Sequence, residues 1–196
     1  MANNISPKEL ANYEAVSYKS VREYLKTGDL VFCSGNYLFS KAIQKLTKST
    51  WSHVAIIYKD EELGRVLVLE AEARIGIRLI PLSSYLKDYS YTRRPYKGKI
   101  FIAKLNTELK KENLNKGVSF GLDELTRPYD NWEIFRIFLR ILFKKGKREK
   151  NRSYICSELV QAIYAKAGVT FNFTDSYISP DSIWKDERVD VKYRVL

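Results

Sequence analysis

Cysteine and histidine are scarce in this chain, with Cys33, Cys156 and His53 the only ones among 196 residues. Two cysteines cannot build a disulfide framework, although one Cys33–Cys156 bridge is open to them, and the scarcity fits a reducing compartment. With one histidine and no Cys-x-x-Cys pair, a structural zinc site is poorly supported, so neither a metal nor another cofactor is expected. The opening residues MANNISPKEL have neither the basic region nor the apolar run of a secretory signal. The default expectation is therefore a cytoplasmic protein, or an extracytoplasmic one if a signal has been trimmed. The largely apolar run Trp132–Phe143 is too short to cross a bilayer. Repeats and low-complexity linkers are missing too, which leaves a single domain over residues 1–196 as the expectation.

Hydrophobic residues make up 45% of the chain, enough for a globular core. Lys and Arg number 34 against 23 Asp and Glu, a formal charge of +11, which favours anionic surfaces without choosing among nucleic acid, lipid and acidic polymer.

Residues 1–27 carry apolar positions (Tyr13, Val16, Val21, Tyr24, Leu25) spaced for one or two short helices. Thr27-Gly28-Asp29 is turn chemistry ahead of a strand at Leu30–Cys33. A short helix around Tyr37–Leu46 precedes Trp51–Tyr58, a strand by its β-branched and aromatic content. Arg65–Glu70 reads as its hairpin partner, Ala73–Pro81 as a third strand, Ser83–Leu86 as a helical turn and Ile100–Leu105 as another strand. Asn106–Leu125 is charged and helical in pattern, and Val189–Leu196 fits an edge strand.

A hairpin turn centred near Glu61 and Glu62 would pair position 53 with position 70 within about one residue, since partner numbers in a hairpin have a nearly constant sum. The lone His53 would then face Glu70. A carboxylate so placed fixes the imidazole tautomer and favours its charged form, while the same pattern also describes a solvated ion pair at a sheet end. Glu72 is a nearby competitor that alternation places beyond the pairing.

Ser153–Val160 reads SYICSELV. Leu159, Val160, Ile163, Tyr164 and Ala167 recur on one helical face, with Gly168 as a stop. Cys156 stands at the first turn, where unpaired N–H groups and the helix dipole favour a thiolate. It is a candidate nucleophile, and equally a small core residue by this pattern alone.

Trp132–Phe143 leads into Lys144, Lys145, Lys147, Arg148, Lys150 and Arg152. An apolar helix with a cationic tail suits an anionic membrane surface or an acylated substrate, and suits a core helix followed by a solvated loop no less. The tyrosine-rich basic stretch Lys87–Gly98 comes without any fold signature for nucleic-acid binding, so a nucleic-acid partner is not expected.

The order GDLVF, SHVAII, VLEA and a distant YICSELV resembles the circularly permuted papain-fold cysteine hydrolases, NlpC-like superfamily, YiiX type. The resemblance covers most of Gly28–Trp184. It implies an α+β papain-like fold, an antiparallel sheet or partial barrel packed against a nucleophile-bearing helix; the helical basic stretch at about 106–152 reads as an insertion that departs from this pattern. It further implies a Cys156–His53–Glu70 triad that cleaves an amide in a peptide or cell-wall-like peptide. Relatives of the lecithin retinol acyltransferase branch use the permuted core on lipids, so a lipid acyl hydrolase or acyltransferase at a membrane is the alternative, followed by a binding module without turnover.

Overall fold

The structure, a computed structural model, describes residues 7–72, 75–126, 154–172 and 178–196. The expected apolar helix Trp132–Phe143 and the cationic run to Arg152 lie outside the described residues.

Runs of β-branched and aromatic residues form β1 (Leu30–Gly35), β2 (His53–Asp60), β3 (Arg65–Glu72), β4 (Gly76–Pro81), β5 (Gly98–Leu105) and β6 (Val189–Arg194). They make one antiparallel sheet in the order β4-β3-β2-β1-β5-β6. Of the two expected forms, the open sheet is the one observed, with β4 and β6 at its edges. The β6 edge is partly covered where the Val16 N–H donates to Arg194 O at 2.8 Å.

Both faces of the central strands are buried, which is why β1 and β2 read as continuous apolar runs instead of alternating ones. One face (Leu30, Phe32, Val54, Ile56, Leu69) lies under α5 (Lys111–Asp123) and α6 (Cys156–Lys166). The other (Val31, Cys33, Ala55, Ile57, Val68) packs on residues of α2 (Tyr18–Val21) and α4 (Leu82–Lys87); the remaining helices of the N-terminal half are α1 (Pro7–Asn12) and α3 (Leu38–Thr47).

Helix α6 buries Leu159, Val160, Ile163 and Tyr164. It stops where Gly168 takes φ +87°, its N–H donating to Ala165 O at 3.1 Å while the Val169 N–H reaches Tyr164 O at 2.8 Å, the paired bonds of a Schellman cap. The opposite end is fixed by Ser157 Oγ, which donates to Ile178 O at 2.8 Å just ahead of α7 (Pro180–Trp184). Helix α5 approaches α6 through two glycines. A Cβ on Gly117 would lie 2.3 Å from the Ile163 carbonyl oxygen, and one on Gly121 would lie 2.7 Å from Ile163 Cδ1. This close approach packs the C-terminal half of α6 against α5, with Gly121 also facing Leu69 of the sheet.

Candidate active site

Antiparallel alternation gathers the end of β1, the start of β2, the end of β3 and the start of β4 at one end of the sheet. There the β2–β3 ladder stops early: its pairs run from Asp60↔Arg65 to Ile56↔Leu69. Continued, that register would set His53 opposite Glu72, two positions past the expected partner, because the turn spans Glu61–Gly64 and centres later than the sequence implied. Over 53–55 β2 keeps its pairing with β1, Cys33 lying opposite His53, while β3 over 70–72 keeps its pairing with β4. The two strands have parted, and side chains bridge the gap.

His53 Nε2 and Glu70 Oε2 are 2.6 Å apart, with the His53 side chain 19% exposed and that of Glu70 fully buried. The structure thus brings the two expected residues together, although by splayed strands and not by direct cross-strand pairing. Glu72 turns to a local task, its Oε2 accepting the Ile75 N–H at 3.1 Å.

Glu70 has two further partners, neither of them marked by any local sequence pattern. Arg78 Nε donates to its Oε1 at 2.8 Å, and the Tyr85 hydroxyl donates to Oε2. Arg78 sits directly across the β3–β4 ladder from Glu70 and lies over the Tyr89 ring at 5.9 Å. Burial alone would push the Glu70 carboxyl up. The His53 bond and charge, then Arg78 and Tyr85, outweigh it and bring the carboxyl down to about 2.

Cys156 opens α6 as a partly buried free thiol. It hydrogen-bonds the His53 ring; with Nε2 taken by Glu70, Nδ1 is the ring nitrogen left for sulfur. The Val54 N–H, in the stretch of β2 that has left β3, and the Ser157 N–H both donate to the sulfur. Burial disfavours the thiolate, but the His53 charge and bond and these two N–H groups together lower the thiol below its ordinary value. For His53 burial disfavours the imidazolium, and the Cys156 and Glu70 charges and bonds prevail, raising it to about 10. The arrangement favours a thiolate–imidazolium pair over a neutral thiol and ring.

The Glu158 carboxylate accepts the Ile155 N–H at 3.2 Å, one half of a capping box; Ile155 has no polar atom with which to complete the other half. Ser52, a neighbour of the histidine, is occupied elsewhere: its Oγ donates to Cys33 O at 3.2 Å and accepts the Gly35 N–H at 3.0 Å. Tyr154 is buried against Phe120. Cys33 is wholly buried, and burial first, then the nearby Glu70 and Cys156 charges, push its thiol far up. Of the two thiols only Cys156 is set up to react.

A partly buried thiol at a helix start, paired with an imidazole that a carboxylate holds from the sheet, is the arrangement the permuted order of motifs led us to expect. The family model for the permuted papain-like amidase enzymes, YaeF/YiiX, C92 family, matches residues 24–188. The chain belongs to this family. This amidase is accordingly a thiol-dependent amide hydrolase, and the assignment gives no support to the acyltransferase or binding-module alternatives. Among solved structures, the fold is similar to the crystal structure of metalloprotein yiiX from Escherichia coli O157:H7, with 19% identity, a TM-score of 0.63, and coverage of 86% of this chain and 97% of that one. A search of curated proteins returned no match. Although that structural neighbour is titled a metalloprotein, the described residues of this amidase include no group of three or more His, Cys, Asp or Glu placed to hold a metal ion.

Proposed function

We propose that Cys156 is the nucleophile of this amidase, His53 its acid–base partner and Glu70 the group that orients and charges the ring. The observation that carries the reading is the unbroken chain from the Cys156 sulfur through His53 to the buried Glu70, with the thiol lowered and the imidazole raised.

The Cys156 thiolate adds to the amide carbonyl carbon, forming a C–S bond and a tetrahedral oxyanion. The start of α6 offers its backbone N–H groups and dipole to that oxyanion, and the Cys156 N–H is the donor nearest the new bond. On collapse the C–N bond breaks, and the His53 imidazolium passes its proton to the departing amine. A thioester and a neutral ring remain. Water then adds to the thioester while His53 takes its proton; the C–S bond breaks, the acid leaves, and the thiolate–imidazolium pair is restored.

The leading substrate is an amide in a peptide or cell-wall-like peptide. Support comes from the amidase family and from the thiol, imidazole and carboxylate brought together at the start of α6. Incubation with peptide amides and cell-wall-derived peptides, followed by mass spectrometry of products and of the intact protein, tests this. The expected result is new amine and carboxylate termini, a transient acyl adduct mapped to Cys156, and loss of both in Cys156→Ala. Turnover by Cys156→Ala at the wild-type rate would overturn the proposal.

A further inference from the structure

The catalytic end of the sheet also carries most of the exposed apolar bulk. Leu38 is 94% exposed, Phe39 45% and Tyr91 95%. They belong to two segments that meet beside β1: Asn36 N–H donates to Lys97 O at 2.7 Å, Lys97 N–H donates to Tyr37 Oη at 2.9 Å, and the Tyr37 and Tyr89 rings lie 6.3 Å apart. Helix α3 is tied to the end of β1 by Gln44 Nε2, which donates to Gly35 O at 3.0 Å. Leu38 is thus held at the rim by a fixed helix.

Cations surround these side chains. Leu38, Lys41 and Lys45 follow one another along a single exposed stripe of α3 at helical spacing, exposed Lys48 caps the helix end, and no Asp or Glu occurs from 36 to 50. The second segment adds exposed Arg93, Arg94 and Lys97 around Tyr91. Its lone acid, Asp88, is turned onto the chain, where Oδ1 accepts the Arg93 N–H at 2.6 Å. The tip is also strained: Ser90, Tyr91 and Arg93 take φ of 54°, 59° and 57°, and backbone strain of this kind persists at sites that serve a purpose. At the far end of the sheet the charges are mixed: the β2–β3 turn carries Asp60, Glu61 and Glu62 around the exposed Leu63, with Lys59 paired to Glu61 and Arg65 beside them.

From this we infer that the catalytic end of the molecule docks on an anionic phospholipid bilayer, with Leu38, Phe39 and Tyr91 entering the headgroup region and the α3 lysines and Arg93–Arg94 lying against lipid phosphates. Charge would serve equally for an acidic polymer. Large apolar side chains standing at the tips of the cationic segments match a surface with an apolar interior beneath its anions. None of the helices in the described residues is long and apolar enough to cross a membrane, so the contact is interfacial. The active-site opening is thereby turned toward amides presented at the membrane surface. The docking itself does not depend on Cys156 chemistry.

Co-flotation of the full chain with phosphatidylcholine vesicles, with and without phosphatidylglycerol, at low and high salt, tests the inference. Wild type and Cys156→Ala float with the anionic vesicles only, and salt weakens the binding. Leu38→Ser/Phe39→Ser/Tyr91→Ser and Lys41→Glu/Lys45→Glu each reduce the bound fraction roughly tenfold, whereas Leu63→Ser leaves it unchanged. Apart from Cys156, the substituted side chains are exposed, and unchanged thermal melting confirms that each variant folds. Absence of wild-type binding at low salt overturns the proposal. So does wild-type binding by both rim variants, which would place the contact elsewhere, and so does loss with the charge variant alone, which would mean adsorption without insertion.

Discussion

Glu70 and His53 meet at 2.6 Å across a gap where their strands have already separated. The same gap leaves the Val54 N–H facing the Cys156 sulfur instead of a ladder partner. Parting of β2 from β3 therefore does two things at once: it admits the start of α6 to the sheet and frees the groups that stabilise its thiolate.

Removing the carboxylate should disable the ring and also strand Arg78. Glu70→Ala is expected to lower kcat by roughly 100-fold through the His53 proton steps. It should also cost roughly 3 kcal/mol of stability, because a largely buried guanidinium loses its counter-charge. Steady-state kinetics and urea melts measure the two effects separately.

Arg78 and Tyr85 act through Glu70 and are positioning residues. Tyr85→Phe deletes the hydroxyl that donates to Oε2 with little change in volume, and should lower kcat several-fold with KM unchanged. Arg78→Gln should do more than Arg78→Lys, since lysine keeps the charge and forfeits only the geometry. A change confined to KM would assign these side chains to substrate binding instead.

Glu70 also sets an acid limit on stability. Its folded carboxyl lies near 2 against an ordinary value of 4.5, burial being outweighed by His53, Arg78 and Tyr85. A lowered pKa contributes stability that is complete above the unfolded value and lost as pH falls through the folded one. Wild type should thus lose Tm between about pH 4.5 and 2 more steeply than Glu70→Gln, a difference that thermal melts across this range detect.

Packing of α5 on α6 gives a prediction away from the chemistry. Gly117→Ala improves helix propensity by roughly 1 kcal/mol, yet its Cβ would lie 2.3 Å from a backbone oxygen of Ile163 that cannot rotate away. Overpacking should win, with a net loss of about 1–2 kcal/mol in denaturant melts.

The strands were legible because both faces of the central sheet are buried, so β1 and β2 announce themselves as unbroken β-branched and aromatic runs. Helix α6 was legible from its buried face and from Gly168. The hairpin placed His53 near Glu70, but its register differed by two positions: four turn residues and a parting of the strands are tertiary facts with no local signature. Arg78 and Tyr85 escaped notice for a related reason. One lies in a strand and the other in a short helix, and only the fold aims both at a single buried carboxylate. Gly117 and Gly121 sat inside a stretch whose charge pattern pointed only to a helix, with nothing to say that another helix would press against it.

The account turns on the Cys156–His53 pair, and the pH dependence of iodoacetamide labelling, mapped by peptide mass spectrometry, tests that pair most directly. Cys156 should be alkylated far faster than the buried Cys33, and its rate should persist below the ordinary thiol range in wild type and retreat to that range in His53→Ala. Equal, slow labelling of both cysteines with an ordinary thiol profile, unchanged by His53→Ala, would contradict it.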